Sequence, residues 1–455
     1  MVIEMLARFD KVLKKDHQSL QAIFETGLIV AGVLALLPLL PNQIYGDGYD
    51  RFQGLSELLE HGKLSNMRYS LVGPLFSSPF WLLGKVYKTS EWCCERYNLF
   101  LFAISLLVMY WLLKDRIDRR LIRKFFLILL AASMFAAHLS EYYGEVFTSL
   151  CVAIGILAVI IGYALPGWVV IVLGVVNVPA SLLALALVVA KRILDKKCWR
   201  CVLALVAAGG LIIAESWIRR GGPFVIGYEG VAGYRTVMPY TGLPGFSYPF
   251  LFGLLSILFS FGKGLIFFAP GLLLPIRKTL LKIRPYVKVD LFSVYILWLC
   301  FLVGLILVYS RWWAWYGGSF WGPRFFLFAS IPASFALATR LQYRDTSLLI
   351  NLFTLLVLLL SFWVGINGAV FGQSNLGICT ANHYALEILC LYTPEFSVLW
   401  HPFVVTSPLD YHRILYIIYS AIVFIYLLIP LCGTILRQTI EKIGPFSREY
   451  LDMQS

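Results

Sequence analysis

The chain has 455 residues, of which 60% are apolar, 16% aromatic and only 14% charged, with a net charge of +13. A soluble domain carries about 25% charged residues, so this composition excludes an ordinary water-soluble enzyme. The cationic excess invites a nucleic-acid partner, but the placement of the charges excludes one, because they fall in short clusters between apolar runs.

Apolar runs of roughly 18 residues or more can cross a bilayer, and such runs recur from end to end. Lipid offers the backbone no hydrogen-bond partners, so these runs must be helices. In chain order the spans are expected near 24–44, 97–113, 125–138, 146–163, 168–178, 180–192, 201–217, 262–276, 290–309, 325–340, 346–366 and 413–436. The first follows a charged stretch with no small-residue cleavage site, which reads as a retained span and not a removed signal peptide.

The cations sort the loops. Arg8, Lys11, Lys14 and Lys15 precede the first span, and Lys114, Arg116, Arg119, Arg120, Arg123 and Lys124 share one loop. Lys191, Arg192, Lys196, Lys197 and Arg200 form another, Arg277, Lys278, Lys282, Arg284 and Lys288 a third, with Arg340, Arg344, Arg437, Lys442 and Arg448 further on. The positive-inside rule places all of these, and both termini, in the cytoplasm, where they also suit anionic lipids. Segment 70–88 is apolar but contains Pro74, Pro79 and Gly84. If it crossed the membrane, the most basic loop, 114–124, would lie outside. It is therefore expected as interfacial or re-entrant helices within a first outer loop of about 45–97. The predicted fold class is an all-α polytopic membrane protein, with about twelve transmembrane helices plus these interfacial helices.

Cys198 and Cys201 have metal or redox spacing but no second pair, which favours a structural role. Cys379 and Cys390 both fall in the last outer loop, where a disulfide can form in an oxidising compartment.

Helix centres carry almost no charge, unlike a proton-coupled transporter. The unusual polar groups gather at outer helix ends, in four clusters. Tyr45-Gly46-Asp47-Gly48-Tyr49-Asp50-Arg51 opens an amphipathic helix through Phe52, Leu55, Leu58 and Leu59. Its acids either cap that helix or present a catalytic carboxylate. His138-Leu139-Ser140-Glu141-Tyr142-Tyr143-Gly144-Glu145 puts two acids in a short outer loop, either simply solvated or functional. Phe259-Ser260-Phe261-Gly262-Lys263-Gly264 follows the loop 219–248 and sets a lysine between glycines, either snorkelling to the interface or open to an anion such as a phosphate. The run from Arg311 to Phe325 contains Trp312, Trp313, Trp315, Tyr316, Gly317, Gly318, Ser319, Trp321 and Arg324. It is either an aromatic belt or a platform on which a sugar stacks beside an Arg-held phosphate.

In this order the four clusters resemble the GT-C superfamily of membrane glycosyltransferases, which includes protein O-mannosyltransferases, lipid A aminoarabinose transferases and bacterial Rgt-like transferases. Gly46-Asp47 matches the family's acid in the first outer loop, and Glu145, with Glu141 as the alternative, matches its second acid. Arg220-Gly221-Gly222-Pro223, Gly227-Tyr228, the stretch from Leu258 to Leu265 with Pro270, and Gly322-Pro323-Arg324-Phe325 before Ile331-Pro332 resemble bacterial members. The chain departs from many of them at Asn177-Val178-Pro179, where they carry an Arg before the proline, and the likeness covers roughly 1–340.

The resemblance implies a catalytic transmembrane module over 1–340, followed by C-terminal helices over 341–455 with an outer loop at about 367–412. It implies a hexosyl- or pentosyltransferase of the cell envelope, in a bacterial inner or plasma membrane, working at the outer face. The donor would be a polyprenyl-phosphate sugar, and the acceptor a hydroxyl of a glycan, lipid or protein. Asp47 would be the base, Glu145 its assistant, and Lys263, Arg324 and Arg220 the donor-phosphate cations, with no cofactor and no metal required. Glu141, Tyr49, Trp315, Tyr316 and Trp321 would contact acceptor or sugar. The rival readings are a transporter or flippase of lipid-linked saccharides, and a non-catalytic membrane assembly subunit.

Overall fold

Prolines and glycines cut the apolar runs into helices of unequal length. The structure, a computed structural model, describes residues 2–318, 320–372, 377–405 and 408–452. Its helices are α1 (Val2–Leu36), α2 (Gly46–His61), α3 (Val72–Leu75), α4 (Ser78–Tyr87), α5 (Ser90–Glu95), α6 (Tyr97–Leu113) and α7 (Arg119–Ala131). Next come α8 (Phe135–His138), α9 (Gly144–Ile161), α10 (Ala164–Asn177), α11 (Leu182–Lys196), α12 (Val202–Arg220), α13 (Phe250–Phe259) and α14 (Leu265–Phe268). The last are α15 (Arg277–Ile283), α16 (Leu291–Tyr309), α17 (Ser330–Gln342), α18 (Leu348–Val370), α19 (Ala381–Tyr384), α20 (Glu387–Tyr392) and α21 (Tyr411–Asp452). Among the described residues there is no strand, only an isolated bridge between Ala232 and Pro244.

Eight helices among the described residues are long and apolar enough to cross a membrane: Ser19–Leu39, Ser90–Leu113, Gly144–Ile161, Trp199–Arg220, Leu291–Tyr309, Arg324–Gln342, Leu348–Val370 and Tyr411–Lys442. The other four expected spans form shorter or broken helices. Segment 125–138 divides into α7 and α8 where Ser133 bonds back to the Leu129 carbonyl. Helices α10 and α11 have 14 and 15 residues and are separated at Val178-Pro179. Segment 262–276 is interrupted by Pro270 and by extended backbone at Leu274. Segment 70–88 folds into the short helices α3 and α4, each opened or interrupted by a proline.

The bundle is organised around α7 and α17, which pack on each other. From Leu121 to Ala131 every residue of α7 is buried, and so is every residue of α17 from Ser330 to Leu341. A helix that is buried all round is a core helix. Helix α9 lies against α10, α11 against α16, and α18 against α21. Arg123 of α7 pairs with the fully buried Glu25 of α1, which also accepts from Tyr426 of α21.

Charge segregates to the two ends of the bundle. At one end the basic loops meet: the Lys288 amide donates to the Arg116 carbonyl over 2.9 Å, Gln342 to Asp118 over 2.6 Å, and Lys282 pairs with Asp345 at 3.1 Å. At the other end the four polar clusters converge. There the Trp313 amide donates to the Gly245 carbonyl at 3.0 Å and the Gly262 amide to the Leu391 carbonyl at 3.0 Å. A Cys379–Cys390 disulfide closes the last loop at this end.

Candidate active site

The site is built on the first turn of α2. Gly46 opens that helix with a φ of +56°, a left-handed conformation that favours glycine, and a Cβ there would approach the Phe320 ring to 3.1 Å. The residue before the helix is Tyr45, which makes no side-chain cap. Asp47 therefore lies inside the first turn and does not cap it. Its carboxylate turns across the molecule to Arg324, whose Nη2 donates to Oδ2 over 2.5 Å.

Arg324 enters from the far side on the turn Arg324–Ala329 that precedes α17. It is 6% exposed and packs under aromatic faces, with Cζ 4.5 Å from the Phe320 ring centroid and 4.9 Å from that of Tyr143. Its Nε is buried and has no acceptor among the described residues. Gly317, at φ +78°, makes room for it, since a Cβ there would lie 2.9 Å from Arg324 Cγ.

A second cation completes the cluster. Arg68 Nη2 is 3.8 Å from Asp47 and 3.7 Å from Asp50, and its guanidinium lies near the rings of Tyr69 (5.0 Å) and Tyr228 (5.3 Å). Arg219 and Arg220 hold this segment in place. Arg219 donates to the carbonyls of Ser65, Met67 and Tyr69, and Arg220 to those of Met67 and Arg68. Arg220, expected at the phosphate, thus fixes the backbone that carries Arg68.

Lys263 also differs from the expectation. It is 5% exposed, and its ammonium donates to the carbonyls of Gly318 (3.1 Å), Phe320 and Gly322 (2.9 Å). An ammonium has three hydrogens, so these bonds satisfy the group. The glycines around Lys263 serve close packing: a Cβ on Gly262 would lie 2.0 Å from the Cys390 carbonyl oxygen. Lys263 therefore pins the loop that delivers Arg324.

The second acidic cluster lies behind the pair. Glu145 occupies the first turn of α9, within Coulombic reach of Arg324. The Glu141 carboxyl is pushed up to about 7 by burial, against the opposing influence of the nearby Tyr143 hydroxyl and the Arg324 charge. Burial also acts to raise Asp47, but the charge and hydrogen bond of Arg324, a hydrogen bond from Tyr69 and the charge of Arg68 together hold it below the usual carboxylate value.

The remaining expected contacts divide. Trp315 and Tyr316 are largely buried and border a narrow crevice with Tyr248 and Glu387. Trp321 is buried, donates to Asn367 over 2.8 Å and packs on His138 and Phe268, as a structural residue would. Tyr49 points outward at 43% exposure. Ser319 lies outside the described residues. Arg68 was not singled out by sequence, because Arg51, Lys63, Lys85, Lys88 and Arg96 share its loop.

No family model and no curated protein sequence matches the chain. Among solved structures it is similar to ArnT from Cupriavidus metallidurans, determined bound to undecaprenyl phosphate, with a TM-score of 0.50 over 91% of this chain and 77% of that one. The two chains share an all-helical membrane-protein fold. At 13% identity the likeness is one of fold. The fold here gathers Asp47, Glu145 and Arg324 from segments far apart in sequence, and adds Arg68, Tyr69 and Tyr228.

Proposed function

We propose that this chain is a glycosyltransferase that moves a sugar from a polyprenyl-phosphate donor to an acceptor hydroxyl at the outer face of the membrane. The observation that carries the reading is the Asp47 carboxylate set between the guanidiniums of Arg324 and Arg68, within a fold similar to that of ArnT. A base and two cations within a few ångströms are what displacement of a phosphate by a hydroxyl needs.

The acceptor hydroxyl gives its proton to an Asp47 carboxylate oxygen while its own oxygen bonds to the anomeric carbon. The bond from that carbon to the phosphate oxygen breaks, and polyprenyl phosphate leaves with the electron pair. The leaving group is stable as an anion, so cations serve it better than a strong acid does. Arg324 and Arg68 fill that role, and Glu145 orients Arg324 or the incoming hydroxyl. Lys263 and Arg220 position these cations without touching the donor.

The resting ion pair has a chemical consequence. Two guanidiniums make Asp47 a weak base while the site is empty. A donor phosphate competes for the same guanidiniums and draws them off the carboxylate. Asp47 then loses part of the field that depresses its pKa, and it becomes basic when the donor is in place. The outer face is supported by the collection of cationic loops at the opposite end of the bundle and by the Cys379–Cys390 disulfide at this end.

The test is turnover by purified protein. Incubation with a polyprenyl-phosphate sugar and candidate acceptors should release free polyprenyl phosphate and form a glycoside. Donor that is bound yet never consumed, or is moved across vesicles unchanged, contradicts the reading.

A further inference from the structure

The turn between α11 and α12 holds a pair of thiols that the proposed transfer does not use. Lys197 ends α11 in a left-handed conformation, with a φ of +51°. The chain then makes a single 3-10 turn, Trp199–Cys201, before α12 begins at Val202. The Cys201 amide closes that turn by donating to the Cys198 carbonyl over 3.1 Å. Side chains three residues apart eclipse each other in a 3-10 turn, so the two sulfurs meet, 2.7 Å apart. Sulfurs in a disulfide lie about 2.05 Å apart, so closing one here asks for a shift of less than about 1 Å. Among the described residues no cluster of three His, Cys, Asp or Glu is present to hold a metal, which leaves the two thiols to react with each other.

The thiols are not equivalent. Cys201 is 1% exposed, whereas Cys198 is partly exposed. In thiol–disulfide exchange the rate depends on access to the attacking sulfur. Cys198 can therefore attack an incoming disulfide, and Cys201, covered but in contact with Cys198, is placed to resolve the product.

The surroundings select the partner by charge. Lys196, Lys197 and Arg200 are exposed around the turn. Arg192 lies within Coulombic reach of Cys201, and its Nε is buried with no acceptor among the described residues. Asp195, in the same stretch, is paired with Lys191 at 2.8 Å. These cations serve as topology signals, but their field acts on any ion that approaches. It draws in a small disulfide that carries carboxylates and repels a cationic one.

We propose that Cys198 and Cys201 form a thiol–disulfide exchange centre that reacts with anionic low-molecular-weight disulfides. The Cys198 sulfur, its proton lost to solvent, bonds to one sulfur of the incoming disulfide. That disulfide's S–S bond breaks, and its other half leaves as a thiolate. The Cys201 sulfur, likewise deprotonated, then bonds to the Cys198 sulfur and expels the second half. Two protein thiols are oxidised to one disulfide, the small disulfide is reduced to two thiols, and the two protons end on those thiols. Excess small thiol reverses both steps. Helix α12 spans 19 residues between this turn and the arginines that hold the Arg68 segment, about 28 Å of rise. The exchange is therefore independent of the transferase reading.

The test uses the full chain in detergent, reduced and then exposed to oxidised glutathione, quenched in acid, alkylated and digested with trypsin. Cleavage after Lys197, Arg200 and Arg219 separates Cys198–Arg200 from Cys201–Arg219, so a Cys198–Cys201 disulfide leaves these two peptides joined. The joined species should appear with oxidised glutathione and disappear with excess reduced glutathione. Cys201→Ser should hold one glutathione on Cys198, and in Cys198→Ser the buried Cys201 should react about tenfold more slowly or less. The ratio of the oxidised-glutathione rate to that of cystamine, a cationic disulfide, should fall several-fold as salt rises to about 1 M, where charges are screened within about 3 Å. The proposal is overturned if the joined peptides never form, if they form but reduced glutathione does not part them, if Cys201 alone reacts as fast as Cys198 alone, or if the ratio ignores salt. The first, second and fourth readings are taken on the unaltered chain, so they stand even if a variant fails to fold.

Discussion

Arg324 and Asp47, 277 positions apart in sequence, meet at 2.5 Å, and this ion pair joins the first turn of α2 to the turn that precedes α17. Each partner has a second anchor. Asp47 faces Arg68, and Arg324 lies under Phe320 and Tyr143. The pair is therefore set in place before any substrate arrives, which is the preorganisation that charge stabilisation requires.

The two arginines should contribute unequally to donor binding. Arg324 is buried, so Arg324→Ala should cost about 1.5–3 kcal/mol, or tenfold or more in donor affinity. Arg68 is more exposed and its contacts are longer, so Arg68→Ala should weaken the donor only several-fold. Titration of each purified variant with polyprenyl phosphate measures both. Equal, wild-type affinity in the two variants would place the phosphate elsewhere.

Lys263 should behave as a structural residue. Lys263→Met leaves the carbonyls of Gly318, Phe320 and Gly322 without their donor. Each buried acceptor left unpaired costs about 1–3 kcal/mol, so the melting temperature and the activity should fall together. A loss of donor affinity at unchanged melting temperature would return Lys263 to the phosphate.

Glu141 should give the protein a pH dependence near neutrality. Burial raises its carboxyl to about 7, so it is neutral below that pH and anionic above it. Once ionised, it adds negative charge within reach of Arg324 and opposes the donor phosphate. The KM for donor should rise as pH passes upward through about 7 in the wild type, and this rise should be absent in Glu141→Gln. Identical profiles for the two proteins would remove Glu141 from the site.

Sidedness follows from the segregation of charge. Cysteines placed at the exposed Tyr49 and at Tyr234 should react with an impermeant thiol reagent in intact cells. Labelling only after permeabilisation would put the site on the cytoplasmic side and contradict the proposed direction of transfer.

Much of this was legible in the sequence, for physical reasons. A bilayer requires long apolar helices, so the all-helical class could be read from composition. Charge segregation located the polar end, and Gly46-Asp47 and Gly322-Pro323-Arg324 marked two partners of the central pair. The span boundaries were less legible. A buried helix such as α7 is covered by its neighbours and need not be long, and Pro179 and Pro270 break runs that hydropathy joins. Roles of cations were the least legible. Gly262-Lys263-Gly264 has the pattern of an open anion site, yet the glycines pack against backbone and the ammonium faces carbonyls. Arg68 shows no local pattern, because Asp47, Tyr228 and the arginines of α12 assemble around it only in the folded chain.

The most direct test is Asp47→Asn, with turnover and donor binding measured on the same purified protein. Asparagine keeps the shape but cannot take a proton, and Asp47 is not the helix cap, so the fold should survive. Turnover of a polyprenyl-phosphate sugar should fall by about 10²–10⁴. Binding of polyprenyl phosphate should not weaken and should tighten, by roughly tenfold, because Arg324 and Arg68 no longer have a carboxylate to leave. Asp50→Asn, which removes only the 3.7 Å contact to Arg68, should stay close to wild type in turnover. Near-normal turnover in Asp47→Asn would contradict the account and pass the role of base to Glu145 or Glu141.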